Sequence, residues 1–335
     1  VPLPEKSLIA RIRKMAMAPR TSSLPGGGRG KSVITGIGDD CAVLRLPAAS
    51  RLTRDALITT DFTLEGVHFR RAWHAAESVG HRCLARGLSD IAAMGGDPEA
   101  VFLSLALPRD LPQHWFDHFL RGLLQLAGTY GVTLAGGDTA QSPSEILADI
   151  ILLGSVPQGK AVLRSGARVG HRIYVSGDLG GAAAALLLLH KKPKRKLNPR
   201  QYSRHFFPQP RVDLGRILRE KKLASAMIDT SDGLSTDLAH LCAESGVGAE
   251  ILAQAIPRAR LGKPPRPVDL ALALHGGEDY ELLFTVPADK RVPARIAGVP
   301  VTYIGQITRS RKVFLRNGKG VAEELHPRGW EHFRK

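Results

Sequence analysis

LARGLSDIAAMGGDPEAVFLSLALP, residues 84–108, passes from a helically spaced apolar stretch through Gly95 and Gly96 to the strand-like run AVFLSLALP. The helical part covers Ala76 to Met94. The same grammar of short apolar runs punctuated by glycine and aspartate continues outward. Upstream stand VITGIGDDCAVL and ALITTDFTLEGVHF; downstream a second helical stretch, Trp115 to Tyr130, leads through VTLAGGDTA to DIILLGSVPQG, which read as two further strands. Gly159 to Gly170 turns polar and glycine-rich, as a linker would. Beyond it HRIYVSGDLG, AMIDTSDGLSTDLAHLC, HGGEDYELLFTVP and VTYIGQIT resume the pattern. The expected class is α+β with α/β-like alternation, in two domains, residues 1–158 and 159–335, as suits a chain of 335 residues.

Apolar residues make up 43% and charged residues 23%, a globular composition. The longest apolar run, Leu179 to Leu189, is too short for a bilayer and reads as a buried helix. Arg11, Arg13 and Lys14 are followed by no apolar stretch with a small-residue cleavage site, so the expected location is cytoplasmic, with no membrane partner. Cys41, Cys83 and Cys242 are scattered without metal-type spacing and read as buried thiols. The formal charge of +16 fits a polyanion-binding protein or a field that draws in phosphates. Much of it lies in 191–204, KKPKRKLNPRQYSR, where Pro193 and Pro199 favour an exposed, solvated loop. Only 5% of residues are aromatic, which suits single-stranded nucleic-acid stacking poorly, and no nucleic-acid partner is expected. Residues 21–32, TSSLPGGGRGKS, suggest a P-loop, but Pro25 stands where that motif needs glycine and no strand precedes it.

Six motifs put an acid where an apolar, strand-like run gives way to a turn: GDD (Asp39, Asp40), TTD (Asp61), SD (Asp90), GGD (Asp138), DTSD (Asp229, Asp232) and GGED (Glu278, Asp279). One such motif is an ordinary turn. Six converging on one sheet edge would crowd carboxylates that raise one another's pKa and oppose folding unless cations neutralise them. Oxygen ligands suit Mg²⁺, which keeps waters and shares its remaining positions with phosphates. Gly136, Gly137, Gly276 and Gly277 would let a phosphate chain approach the backbone.

The runs GIGDDCAVL, TTDFTLEGVHF, the opening stretch, LAGGDT, LRSGARVG, IDTSDGLSTDL, GGEDYELLFTVP and IGQIT resemble the thiamine-monophosphate kinases in order and separation, from about residue 34 to 308, and GWEHF is similar to the family's ending. The resemblance implies the aminoimidazole ribonucleotide synthetase-like fold: an N-terminal sheet that forms a barrel across a homodimer, a C-terminal α+β domain, and ATP at their junction. It implies thiamine diphosphate biosynthesis by transfer of the ATP γ-phosphoryl to thiamine monophosphate. Mg²⁺ would be held by Asp39, Thr59, Thr60, Asp61, Asp90, Asp138, Asp229 and Asp232. ATP would meet Gly137, Asp138, Arg164 and Ser231, and thiamine monophosphate would meet His68, Glu278 and Trp330. Asp61, Asp138, Arg164 and Asp229 would carry the catalysis. A phosphate acceptor is already largely ionised near neutrality, its second pKa being about 6, so direct in-line transfer without a general base is expected.

Two departures stand out: stretch 191–204 has no role in the family pattern, and His171 replaces a common aspartate. Sister activities of the superfamily, such as selenophosphate or purine-pathway synthesis, are the nearest alternatives. The N-terminal glycine-rich loop lacks the cysteine that selenophosphate synthesis needs. The chain's HFRK end lacks the one used in hydrogenase maturation.

Overall fold

The computed structural model describes residues 5–16, 33–45, 53–194 and 196–331; the glycine-rich segment 21–32 lies outside them. The first half contains α1 (Glu5–Ala16), β1 (Val33–Thr35), β2 (Ala42–Arg45), β3 (Arg54–Leu64), α2 (Ala76–Ala93), β4 (Asp97–Pro108), α3 (Gln113–Tyr130), β5 (Thr133–Ser142) and β6 (Leu147–Pro157). Its strands form one sheet in the order β1-β2-β3-β6-β4-β5. Only the β4–β5 pair is parallel, so the sheet is not of the doubly wound kind.

Alternation along β3 fixes the two faces of this sheet. Asp55, Leu57, Thr59 and Thr63 are buried beneath the helices, while Thr60 and Phe62 are exposed on the other side. α2 and α3 cover the buried face and approach each other at glycines. A Cβ on Gly80 would stand 1.9 Å from the Phe119 carbonyl oxygen, and one on Gly122 would stand 1.9 Å from that of Glu77. Backbone therefore packs on backbone there, which no larger residue would permit.

The second half contains β7 (Arg172–Ser176), α4 (Gly181–Lys191), α5 (Ser203–Phe206), α6 (Val212–Glu220), β8 (Ala226–Asp229), α7 (Leu234–Ser245), β9 (Gly248–Leu252), β10 (Arg260–Leu261), β11 (Arg266–Pro267), α8 (Leu270–His275), β12 (Leu282–Val286), β13 (Arg295–Ile296), β14 (Val299–Thr308), β15 (Val313–Arg316) and β16 (Ala322–Glu324). Its main sheet runs β16-β15-β9-β14-β7-β12-β8, with β13 beside β14. α2 is the axle of the molecule. It is buried nearly all round, touching β3, β6 and α3 of its own half and α6 and β8 of the other. One apolar core, including Leu84, Leu88, Val212, Leu218, Met227 and Phe284, is continuous across both halves.

Three expectations need correction. The apolar run near Leu179 is helical as α4, but only one side is buried, and Leu187 is 41% exposed. The basic stretch 191–204 is not a purely solvated loop: Leu197 and Tyr202 pack with Ala185, Leu189 and Phe206, and Arg204 donates to the Asp178 and Glu281 carboxylates. Apolar residues spaced among the lysines anchor it. Finally, Asp61 and Asp138 lie within β3 and β5, and Asp90 lies within α2, rather than at strand ends. β5 is an edge strand, where Gly and Asp are tolerated without breaking the ladder. Cys41, Cys83 and Cys242 are buried free thiols. Among the described residues no helix is long and apolar enough to cross a membrane.

Candidate active site

Three segments meet where α2 passes the end of β8. Asp40 comes from the turn before β2, Asp90 from the last turn of α2, and Asp229 from the last residue of β8. Each offers a carboxylate oxygen, all within 4.8 Å of one another. Burial and then the Asp229 charge push the Asp90 carboxyl well above its ordinary value. Burial and then Asp40 push Asp229 up to about 7. Neighbouring hydroxyls fix the oxygens: Thr59 Oγ1 donates to Asp90 Oδ2 at 2.5 Å, and Ser89 Oγ donates to Asp229 Oδ2 at 2.6 Å.

Arg164, from the segment joining the two sheets, is the cation of this cluster. Its Nη2 and Nε donate to the two oxygens of Asp40 at 2.6 and 3.2 Å. Burial opposes the guanidinium charge, but Asp40 raises its pKa above the usual value. Asp39 points its carboxylate elsewhere, accepting the Arg164 and Asp40 backbone N–H groups. Burial and the Asp40 charge push Asp39 up to about 7. Among the described residues one arginine faces these carboxylates, so ionising all of them would leave negative charge uncompensated. The oxygen-only donor set matches a hard divalent ion such as Mg²⁺ and offers nothing to a thiophilic one.

A second group adjoins it along α2. Arg86 Nε lies 2.9 Å from Asp61 Oδ1, and Arg82, one helical turn earlier, donates to Glu278 Oε1. Arg82 and Arg86 line a crevice with Thr63, His68, Phe69 and Val79. Burial works against Glu278's ionisation, yet Arg82, Arg86 and His68 hold its carboxyl below the ordinary value. Glu278 and Tyr280 both have positive φ, 67° and 50°, so the GGEDY loop holds two non-glycine residues in the left-handed region. Such strain clusters at functional positions.

The remaining sequence candidates are placed differently. Asp138 is on the exposed face of β5, opposite Ser104, three strands from β3, or about 14 Å at ordinary strand spacing. A groove of about 330 Å³ beside it is lined by Phe116, Leu120, Leu134 and Gly137. Thr60 is exposed on the face opposite Thr59. Ser231 and Asp232 follow Asp229 in the turn before α7; the Ser231 carbonyl accepts the Glu278 N–H, and that of Asp232 accepts the Trp330 N–H. Trp330 is 54% exposed. Asp279, grouped with Glu278 in the sequence, is instead a helix anchor that accepts the Gly180 and Ala182 N–H groups at the start of α4. Burial pushes it up to about 7. Asp279→Ala would strand those amides and should lower stability by about 2 kcal/mol in denaturant unfolding.

Asp40, Arg82 and Arg86 were not among the sequence candidates. Asp40 was visible in the GDD motif, and only its position beside Arg164 separates it from Asp39. Nothing local marks Arg82 and Arg86, whose acidic partners lie far away in the chain.

The two sheets sharing α2, with a carboxylate cluster at their junction, define a class of two-domain proteins. The family models described as AIR synthase related protein, N-terminal domain and C-terminal domain match residues 38–156 and 168–317. Within that class the chain belongs to the thiamine-monophosphate kinase family. It is 39% identical over 314 residues to the thiamine-monophosphate kinase of Salmonella typhimurium, covering 90% of this chain and 92% of that protein. The solved structure of AaThiL complexed with AMPPCP and TMP is 33% identical and superposes with a TM-score of 0.82 over 99% of this chain and 97% of that one. The thiamine monophosphate kinase of Aquifex aeolicus is 30% identical, with a TM-score of 0.75 over 96% of this chain and 98% of that one.

Proposed function

We propose that this chain phosphorylates thiamine monophosphate with ATP, giving thiamine diphosphate and ADP. The observation that carries the reading is the buried cluster of Asp40, Asp90 and Asp229 facing Arg164. Such a cluster suits a multivalent cation, and the family's named activity joins two phosphate-bearing substrates that would bring one. Mg²⁺, when bound, would neutralise phosphate charge. Asp40 joins the proposed ligand set of Asp39, Thr59, Thr60, Asp61, Asp90, Asp138, Asp229 and Asp232. Thr59 and Ser89 orient the carboxylates, Arg164 balances charge on the nucleotide side with Gly137 and Ser231, and His68, Glu278 and Trp330 hold the acceptor. Aligning two anions in line is the chain's main task, since the acceptor phosphate needs no proton removed. We divide the chain at residues 158 and 159 into its two domains.

We further infer a homodimer that closes the first sheet. Its uncovered face presents Phe62, Phe102 and Ile151, with Phe62 54% exposed. Among the described residues β2 pairs only with Asp55–Ile58 of β3, leaving the Thr59–Leu64 edge open, as is the outer edge of β5. Joining β5 of a second copy to that edge would pair these two edges with each other and bring the partner's GGD motif against Thr59–Asp61. Asp138, remote from the cluster in its own chain, would then act in the other.

Two measurements test this. ADP release should require both thiamine monophosphate and a divalent ion, and release at full rate without the acceptor would contradict the assignment. Asp138→Asn and Asp229→Asn should each be inactive alone, yet a refolded equimolar mixture should regain about a quarter of wild-type activity, because half the random dimers carry one intact site. No recovery would place Asp138 in its own chain's site.

A further inference from the structure

Glu278 is approached from two sides. Arg82 Nη2 donates to its Oε1. From the other side, His205 of α5 turns Nδ1 toward Oε2 at 3.9 Å. His205 Nε2 lies 2.9 Å from His74 Nε2, and both rings are buried. His74 Nδ1 in turn lies 3.2 Å from both the N–H and the carbonyl oxygen of Arg70, two residues beyond His68. A line of ring nitrogens therefore joins the segment carrying His68 to the loop carrying Glu278.

Two nitrogens 2.9 Å apart share one proton, so with neutral rings the line runs in one of two senses. In the first, the Arg70 N–H donates to His74 Nδ1, His74 Nε2–H donates to His205 Nε2, and His205 presents Nδ1–H to Glu278. In the second, His74 Nδ1–H donates to the Arg70 carbonyl, His205 Nε2–H donates to His74, and a bare lone pair of His205 faces the carboxylate. The second sense sets the lone pair of the buried His205 ring against the half-buried carboxylate, a repulsion that low polarity strengthens. The first sets a donor there. A doubly protonated His205 would add a buried cation next to Arg82; burial and Arg82 hold both histidines below their ordinary values.

We propose that His74 and His205 are positioning residues of the acceptor site: a one-way hydrogen-bond line from the Arg70 amide through both rings ends on Glu278 and, with Arg82, aims its carboxylate at the substrate. This rests on the reading of Glu278 as an acceptor contact. His205 Nδ1 has no hydrogen-bond partner, and 3.9 Å is too long for one, so a small inward movement of the GGEDY loop completes the line.

Nitrogen-15 NMR of the histidine rings in the full chain tests the direction without reference to activity. The expected pattern is the Nε2–H tautomer for His74 and the Nδ1–H tautomer for His205. The reversed tautomers, or a doubly protonated His205 near neutral pH, would overturn the proposal while leaving the assigned reaction untouched. Kinetics supply the second arm. His205→Phe should raise KM for thiamine monophosphate about tenfold, the cost of one charge-assisted hydrogen bond, with KM for ATP unchanged. His205→Asn places an amide N–H where Nδ1–H stood and should restore most of that affinity. Equal losses in both variants, or an unchanged acceptor KM in His205→Phe, would show a merely structural role.

Discussion

Asp229→Asn should lose phosphoryl transfer by at least about a thousandfold, roughly 4 kcal/mol of transition-state stabilisation, while the protein without divalent metal melts higher than wild type. The two effects share one cause. Asp229 is buried against Asp40 and Asp90, and that environment raises its carboxyl from 3.8 to about 7. A folded-state value above the unfolded one means that its contribution to stability is fully present below about pH 4 and fades as pH rises through about 7. Metal-free wild type should therefore lose melting temperature across that interval, and Asp229→Asn should flatten the slope. Added Mg²⁺ should reverse the trend in wild type, because it would bind the ionised carboxylates, and should do little for the variant. Calorimetric melts with and without Mg²⁺, across that pH range, read all of this. A variant that keeps wild-type activity, or wild type that gains stability with pH in the absence of metal, would remove Asp229 from the proposed ligand set.

Glu281→Ala should cost about 3 kcal/mol of stability. The Glu281 side chain is fully buried. It takes Nε and Nη2 of Arg211 at 2.7 and 2.5 Å, Nη1 of Arg204 at 3.3 Å and the Ser176 hydroxyl at 2.5 Å. Removing one side of a buried pair leaves the other charge unmatched. Arg204 is 35% and Arg211 19% exposed, so water relieves part of that cost and places the expectation at the lower end for such pairs. Denaturant unfolding gives the value directly. A change within experimental error of zero would mean that the arginines find solvent without penalty.

The acids were legible in the sequence; their companions were not. DTSD announced Asp229, which does end a buried strand, and the opening stretch announced the passage from α2 to β4. Reading every aspartate of these motifs as the start of a turn failed at Asp138, because an edge strand tolerates Gly and Asp, and at Asp61, whose charge is met by Arg86 from a helix. Arg82 and Arg86 sit one turn apart on α2, a spacing that fits any amphipathic helix. Their meaning comes only from Glu278 and Asp61, brought there by tertiary contact. The stretch 191–204, just before His205, read as a basic loop for the same reason: its anchoring depends on α4 and α5, which a local pattern cannot contain.

The reaction itself is tested most directly by phosphorus NMR of the purified chain with ATP, Mg²⁺ and thiamine monophosphate. The expected result is loss of the monophosphate resonance and growth of the two coupled resonances of thiamine diphosphate, matched one for one by ADP. Consumption of ATP with the monophosphate left intact would contradict the account and send the γ-phosphoryl group to a different acceptor.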